Sequence, residues 1–100
     1  PDAWKNDHTV INGNKGNTMQ IEVPAYDGNT IRMMWENGFE IKCAAEDSAI
    51  VISANQAGLV SLARHLLTLA QDSVPAHTHI HLDADNALEH GSRELILVKE

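Results

Sequence analysis

Leu59, Leu62, Ala63, Leu66, Leu67 and Ala70 recur at three- and four-residue intervals, the spacing that gathers apolar side chains into one stripe along an α-helix. Ser53-Ala54-Asn55-Gln56 leads into this run and fits a capping box, in which the Ser53 hydroxyl and the Gln56 side chain satisfy each other's backbone N–H groups. The helix is expected to reach about Gln71, where Asp72-Ser73-Val74-Pro75 ends it, a length of about 25 Å. Gly58 falls in its first turn and weakens it slightly. His65 flanks the stripe and is expected to be partly solvated. One such helix cannot form a core alone; it needs a sheet to lie on.

The rest of the chain has the period-two pattern that supplies one. Met19 to Val23 alternates apolar with polar and is closed by Pro24; Asp27-Gly28-Asn29 signals a turn. A strand is expected over about Thr30 to Glu36, with Ile31, Met33 and Trp35 on one face, followed by Asn37-Gly38 as a type I′ hairpin. The return strand sets Phe39, Ile41, Cys43 and Ala45 against Glu40 and Lys42, and Ala49 to Ser53 continues the meander after a turn at Glu46-Asp47-Ser48. After the helix come His77 to Asp83, a short connection stopped by Gly91, and a last strand from Arg93 to Lys99. That strand is apolar on both faces, Leu95 and Leu97 against Ile96 and Val98, which predicts a place well inside the sheet. The pattern predicts an α+β fold: a mainly antiparallel sheet of about five strands with one long amphipathic helix packed on one face, in the order β-β-β-β-α-β-β. Residues 1–18 are rich in Asn, Gly, Lys and Thr and read as a polar N-terminal arm or loop; 19–100 read as a single α+β domain.

Composition narrows the function. One hundred residues at 43% hydrophobic content suit one packed core, and with 4% aromatics that core is aliphatic. The single cysteine, Cys43, excludes an internal disulfide, fits a reducing compartment and so a cytoplasmic location, and shares a face with apolar neighbours as an inert core thiol. No apolar run approaches the roughly 18 residues of a membrane helix. Fourteen acidic residues against seven basic give a net charge of −7, which disfavours direct binding to nucleic acid and favours a basic partner.

His77-Thr78-His79-Ile80-His81-Leu82-Asp83 carries the most chemistry. On a strand, His77, His79, His81 and Asp83 share one face while Ile80 and Leu82 share the other. Two histidines in a His-x-His step can chelate zinc, but the outer two of three stand about 13 Å apart at their bases, too far for one tetrahedral ion without ligands from another element. Catalysis would need a nucleophile, an oriented base and an oxyanion donor in one pocket, and no motif provides them. No catalytic residue, metal ligand or cofactor is therefore expected. The same geometry suits a recognition patch: His79, His81, Asp83, Asp85 and Glu89 to meet Lys or Arg of a partner, with Trp35 and Tyr26 as candidate aromatic anchors. For any single residue the plainer alternative is a solvated loop.

From Trp35 onward the chain resembles the immunity proteins of bacterial polymorphic toxin systems, in the family numbered thirty-two. The likeness rests on Trp35-Glu36-Asn37-Gly38-Phe39-Glu40-Ile41, on Ile52-Ser53-Ala54-Asn55-Gln56-Ala57-Gly58-Leu59, on His79-Ile80-His81-Leu82-Asp83, and on Leu88, Gly91-Ser92 and Glu94-Leu95-Ile96. It spans roughly residues 30 to 99. The resemblance implies a non-enzymatic protein that binds and neutralises a cognate toxin in the producing cell, a basic nuclease being the simplest fit to the charge. Two other expectations stand beside it: a small metal-binding protein or metalloenzyme using His77, His79 and His81, and a subunit that assembles through a sheet edge.

Overall fold

Alternation between apolar and polar residues makes strands only where a neighbouring strand is available to complete the hydrogen bonds, and the chain pairs in twos. A computed structural model describes residues 8–14 and 17–100, and within them β1 (His8–Asn14), β2 (Asn17–Glu22), β3 (Ile41–Glu46), β4 (Ala49–Ala54), α1 (Gln56–Leu69), β5 (His79–Leu82) and β6 (Leu95–Val98) follow in order. The fold is α+β with one helix, as expected. The strands, however, form three antiparallel two-stranded ladders, β1–β2, β3–β4 and β5–β6, and not one sheet of five. No helix among the described residues is long and apolar enough to cross a membrane.

The element order matches the expectation by a different route. β1 falls in the stretch read as an arm or loop; it pairs with β2, setting Thr9 opposite Ile21 and Ile11 opposite Met19, with a register shift between Asn12 and Asn14. The rest of that expected arm, residues 1–7, 15 and 16, lies outside the described residues. Conversely, the strand expected over Thr30 to Glu36 does not form. Asn37-Gly38 does turn the chain, the Phe39 N–H donating to the Glu36 carbonyl (3.2 Å). Only Gly38 of the pair has a positive φ (+80°), so the turn is not type I′ and launches no ladder.

Segment 23–36 has no strand partner, and its hydrogen bonds, like that of the Glu22 carbonyl at the end of β2, go to the helix and its extension. The Glu36 N–H donates to Ser61 Oγ (2.8 Å), and Arg64 donates to the carbonyls of Glu22 (2.8 Å) and Met34 (3.1 Å). Gln71 accepts from the Tyr26 N–H (3.0 Å) and donates to the Pro24 carbonyl (3.0 Å). These are side chains of one helix and its C-terminal extension standing in for a β-ladder.

That exchange sets which face of α1 turns inward. Gly58, Ser61, Leu62, Arg64, His65, Thr68 and Leu69 are buried. Leu59 and Leu66, expected in the buried stripe, are 54% and 48% exposed, and Ala70 is exposed. Thr68 disposes of its hydroxyl by donating to the Arg64 carbonyl (2.7 Å). His65, expected to be partly solvated, is fully buried. The core beneath is aliphatic: Ile41, Cys43, Leu62, Leu69, Val74, Ile80, Leu82 and Leu88, with Tyr26, Ile31, Met33, Trp35 and Phe39 packed around it.

Two residues lock the start of the helix. The N-cap is Asn55, not Ser53: its Oδ1 accepts from the Gly58 N–H (2.8 Å) and the Glu40 N–H (3.0 Å), while its Nδ2 donates to the Gly38 carbonyl (2.9 Å). One amide thus ties α1 to the 37–40 turn and the end of β3. Gly58 lets the helix come close, for a Cβ there would overlap the Glu40 carbonyl oxygen and press on Ala54 Cβ and Ile41 Cγ1 at 3.0 Å. At the other end the Lys99 ammonium donates to the carbonyls of Gln71 (2.6 Å) and Val74 (2.8 Å). By helix propensity alone Gly58→Ala would gain about 1 kcal/mol. We expect a loss of about 1–3 kcal/mol instead, because the methyl meets backbone rather than a yielding side chain. Urea unfolding of the variant against the parent decides the sign.

Candidate functional site

β5 alternates as the sequence implies. Ile80 (5% exposed) and Leu82 (1%) enter the core, so His79 and His81 stand on the outer face. His77 does not join them: it precedes β5 and has a φ of +73°, so the two-residue repeat that would align three imidazoles is broken there. His79 and His81 meet edge to face, with ring centroids 4.9 Å apart, and His81 Nδ1 lies 2.9 Å from Glu94 Oε2. His79 Nδ1 lies 3.1 Å from the His77 carbonyl oxygen. Among the described residues no group of three or more His, Cys, Asp or Glu side chains is placed to hold a metal ion. With His77 out of line, three imidazoles do not share the strand face, and only the His79–His81 step remains.

β6 completes this face. The register sets Val98 opposite His79 and Ile96 opposite His81, and these aliphatics are 50% and 45% exposed. β6 is therefore not inside a sheet: among the described residues its ladder partner is β5 alone. The outer surface of β5–β6 combines two imidazoles, a carboxylate and two β-branched aliphatics. Glu94, Ile96 and Val98 were not among the expected contact residues. The β5–β6 register is the signal that joins them to the histidines, and it cannot be read until the pairing is known.

The acidic residues divide by role. Asp83 shapes a turn: its carboxylate accepts from the N–H groups of Asp85 (2.9 Å) and Asn86 (3.1 Å), and its carbonyl accepts from Ala87 (3.0 Å) and Leu88 (2.8 Å). Asn86 closes the turn, accepting from the Asp83 N–H (2.8 Å) and donating to the His81 carbonyl (3.0 Å). This turn brings Asp85, exposed, to the end of the histidine strand, and Leu88 into the core. Glu89 is exposed as well, while its backbone N–H donates to the Ile41 carbonyl (2.8 Å). Trp35 stands apart from these residues. Half-buried, its ring stacks on Phe39 at 4.3 Å and meets the His65 ring edge-on at 4.3 Å. Tyr26 is packed against the core.

His65 is the most perturbed group. Neither ring nitrogen has a hydrogen-bond partner within the protein, and burial, with the Arg64 charge beside it, pushes its pKa down to about 4. Arg64 is itself paired with Glu36 (2.8 Å) and does not relieve the imidazole. The unfolded chain takes up this proton near pH 6.5 and the folded chain only near 4, so the unfolded state binds more protons between those values. The stability from a neutral His65 is complete above about pH 6.5 and is lost as pH falls toward 4, by up to about 3 kcal/mol.

A family model described as Imm32, Immunity protein 32, matches residues 49–100, just over half of the chain, from β4 through the helix to β6. The chain belongs to this immunity protein family. The Trp35–Ile41 stretch that carries part of the resemblance in sequence lies before the matched region. Comparison with curated proteins gives no match, and comparison with solved structures gives none.

The titration of His65 generates a direct check. Between pH 6.5 and 4 the unfolding free energy of the parent is expected to fall more steeply than that of His65→Leu, whose curve lacks this contribution; parallel curves would show that His65 titrates normally.

Proposed function

We propose that this chain is a toxin-neutralising immunity protein, which binds a cognate bacterial toxin by direct contact and performs no chemistry of its own. Membership of the immunity family carries the reading. The surface of β5–β6 and its adjoining turn supports it: His79, His81, Asp85 and Glu89 supply polar contacts, Ile96 and Val98 an apolar centre, and Asp83 holds the turn in shape. An interface needs such a desolvated centre, since rim charges set rate and partner choice more than affinity. Trp35, half-buried in its stack, would meet a partner only through its exposed edge.

The net charge of −7 would steer a basic toxin toward this face, a nuclease being the simplest such partner, and would keep the chain itself off nucleic acid. Protection would be exerted in the cytoplasm of the producing cell.

Co-expression with the neighbouring toxin tests the reading, together with recovery of a stoichiometric partner by the tagged chain from its own cells. Failure to protect against any such toxin would discard it. Asp85→Lys probes the patch: with folding intact, association with the recovered toxin is expected to slow about tenfold at low salt and to lose much of its salt dependence. Unchanged association would remove Asp85 from the interface.

A further inference from the structure

β4 reads Ala49-Ile50-Val51-Ile52-Ser53-Ala54, six residues without a charge or a proline. Strands at the edge of a sheet ordinarily carry Lys, Glu or proline, or lie under a loop, because bare rows of N–H and C=O groups attract other chains. β3 shows how this fold covers an edge. The Asn55 N–H donates to the Glu40 carbonyl (3.1 Å), which fixes the alternation: residues 49, 51 and 53 bond toward β3, whereas 50 and 52 face away. The corresponding outward groups of β3 belong to Ile41, Cys43 and Ala45, and those of the first two are covered. The Ile41 carbonyl accepts from the Glu89 N–H (2.8 Å) and the Cys43 carbonyl from the Arg93 N–H (2.8 Å), while the Cys43 N–H donates to Ser92 Oγ (3.2 Å). The outward groups of Ile50 and Ile52 have no hydrogen bond among the described residues.

The side chains repeat the pattern. Ile52 lies opposite Cys43 and Ile50 opposite Ala45, on the sheet face that carries Ile41 and Cys43 into the core. Yet Ile52 is 40% exposed and Ile50 66%. The apolar layer runs past its last strand, and both the backbone and the side chains of that strand are left ready for another.

Charge selects the occupant. Exposed Glu46 and Asp47 stand in the turn at the Ala49 end of β4, whereas Glu40 and Glu89, near its other end, lie on the β3 side of the ladder. A second copy would set −7 against −7 and bring further carboxylates to an edge that already has them in the Glu46-Asp47 turn. We infer that the outer edge of β4 receives an extended segment of the toxin as an added strand, with β-branched or other apolar side chains against Ile50 and Ile52 and Lys or Arg at the end beside the Glu46-Asp47 turn. Main-chain bonds to Ile50 and Ile52 give affinity, and the flanking charges give choice of partner. The inference rests on the inhibitory reading above and adds the mode of contact.

Amide hydrogen exchange on the full chain tests it, free and saturated with the stoichiometric partner recovered from its own cells. In the free chain Ile50 and Ile52 should exchange rapidly while Val51 and Ser53 are protected; with the partner bound, Ile50 and Ile52 should slow at least tenfold. Ile50→Pro removes an N–H that β3 does not use, so it should keep the protection of Val51 and Ser53 and weaken binding at least tenfold. Ile50→Lys, which keeps the N–H but adds a cation at the edge, should weaken binding as well. Full affinity in both variants, or no slowing at Ile50 and Ile52 in the complex, overturns the strand contact while leaving the inhibitory reading in place. Concentration-dependent protection of the free chain, with a dimer by light scattering, assigns the edge to a second copy and overturns it too. If no partner is recovered and co-expression protects against nothing, both readings fall together.

Discussion

The hydrogen bonds from one helix to a segment without a strand partner hold this molecule together. Ser61, Arg64 and Gln71 satisfy backbone groups of Glu22, Pro24, Tyr26, Met34 and Glu36, which would each cost about 1–3 kcal/mol if buried unpaired. Everything else follows from that seam. It leaves segment 23–36 outside any ladder and turns the hydrogen-bonding side of α1 inward. The Arg64–Glu36 ion pair closes the seam at its wetter end, where Glu36 is 44% exposed, so its contribution is positional more than energetic.

Much of this was legible in the sequence, and the failures share a cause. β3, β4 and α1 lie within about two residues of where local alternation and spacing place them. Burial of Ile80 and Leu82 with His79 and His81 outside follows from the same local rule. What could not be read is which of two helix stripes faces inward. Leu59, Ala63, Leu66 and Ala70 look like a core face by hydropathy, but Gly58, Ser61, Leu62, His65 and Thr68 win because small and hydrogen-bonding residues let the helix approach polar backbone. The run Ile31, Met33, Trp35 alternates like a strand for the same misleading reason: its side chains do pack on the core, but its hydrogen bonds go to the helix. β1 escaped because its polar residues show little alternation, and the histidine face was only half seen because Ile96 and Val98 join it across a ladder.

The matched region and the seam divide the chain differently. Residues 49–100 carry the family likeness, and the end of β2 with segment 23–36 lies before them, bonded to the helix from outside. Seen from the matched half, this segment is a lid over the inner face of α1. His65 lies beneath it against Trp35, a buried imidazole with neither nitrogen satisfied. This burial disfavours the imidazolium, so the folded chain takes up the proton only at a lower pH than the unfolded one.

The outward stripe of α1 takes no part in the seam. Every ionisable side chain of this helix points inward, leaving Leu59 and Leu66 on an uncharged exterior. The side chains that seat the helix and those that meet solvent thus lie on opposite sides of the same fourteen residues. Substitutions at Leu59 or Leu66 would therefore alter the character of this exterior without touching the hydrogen bonds that seat the helix.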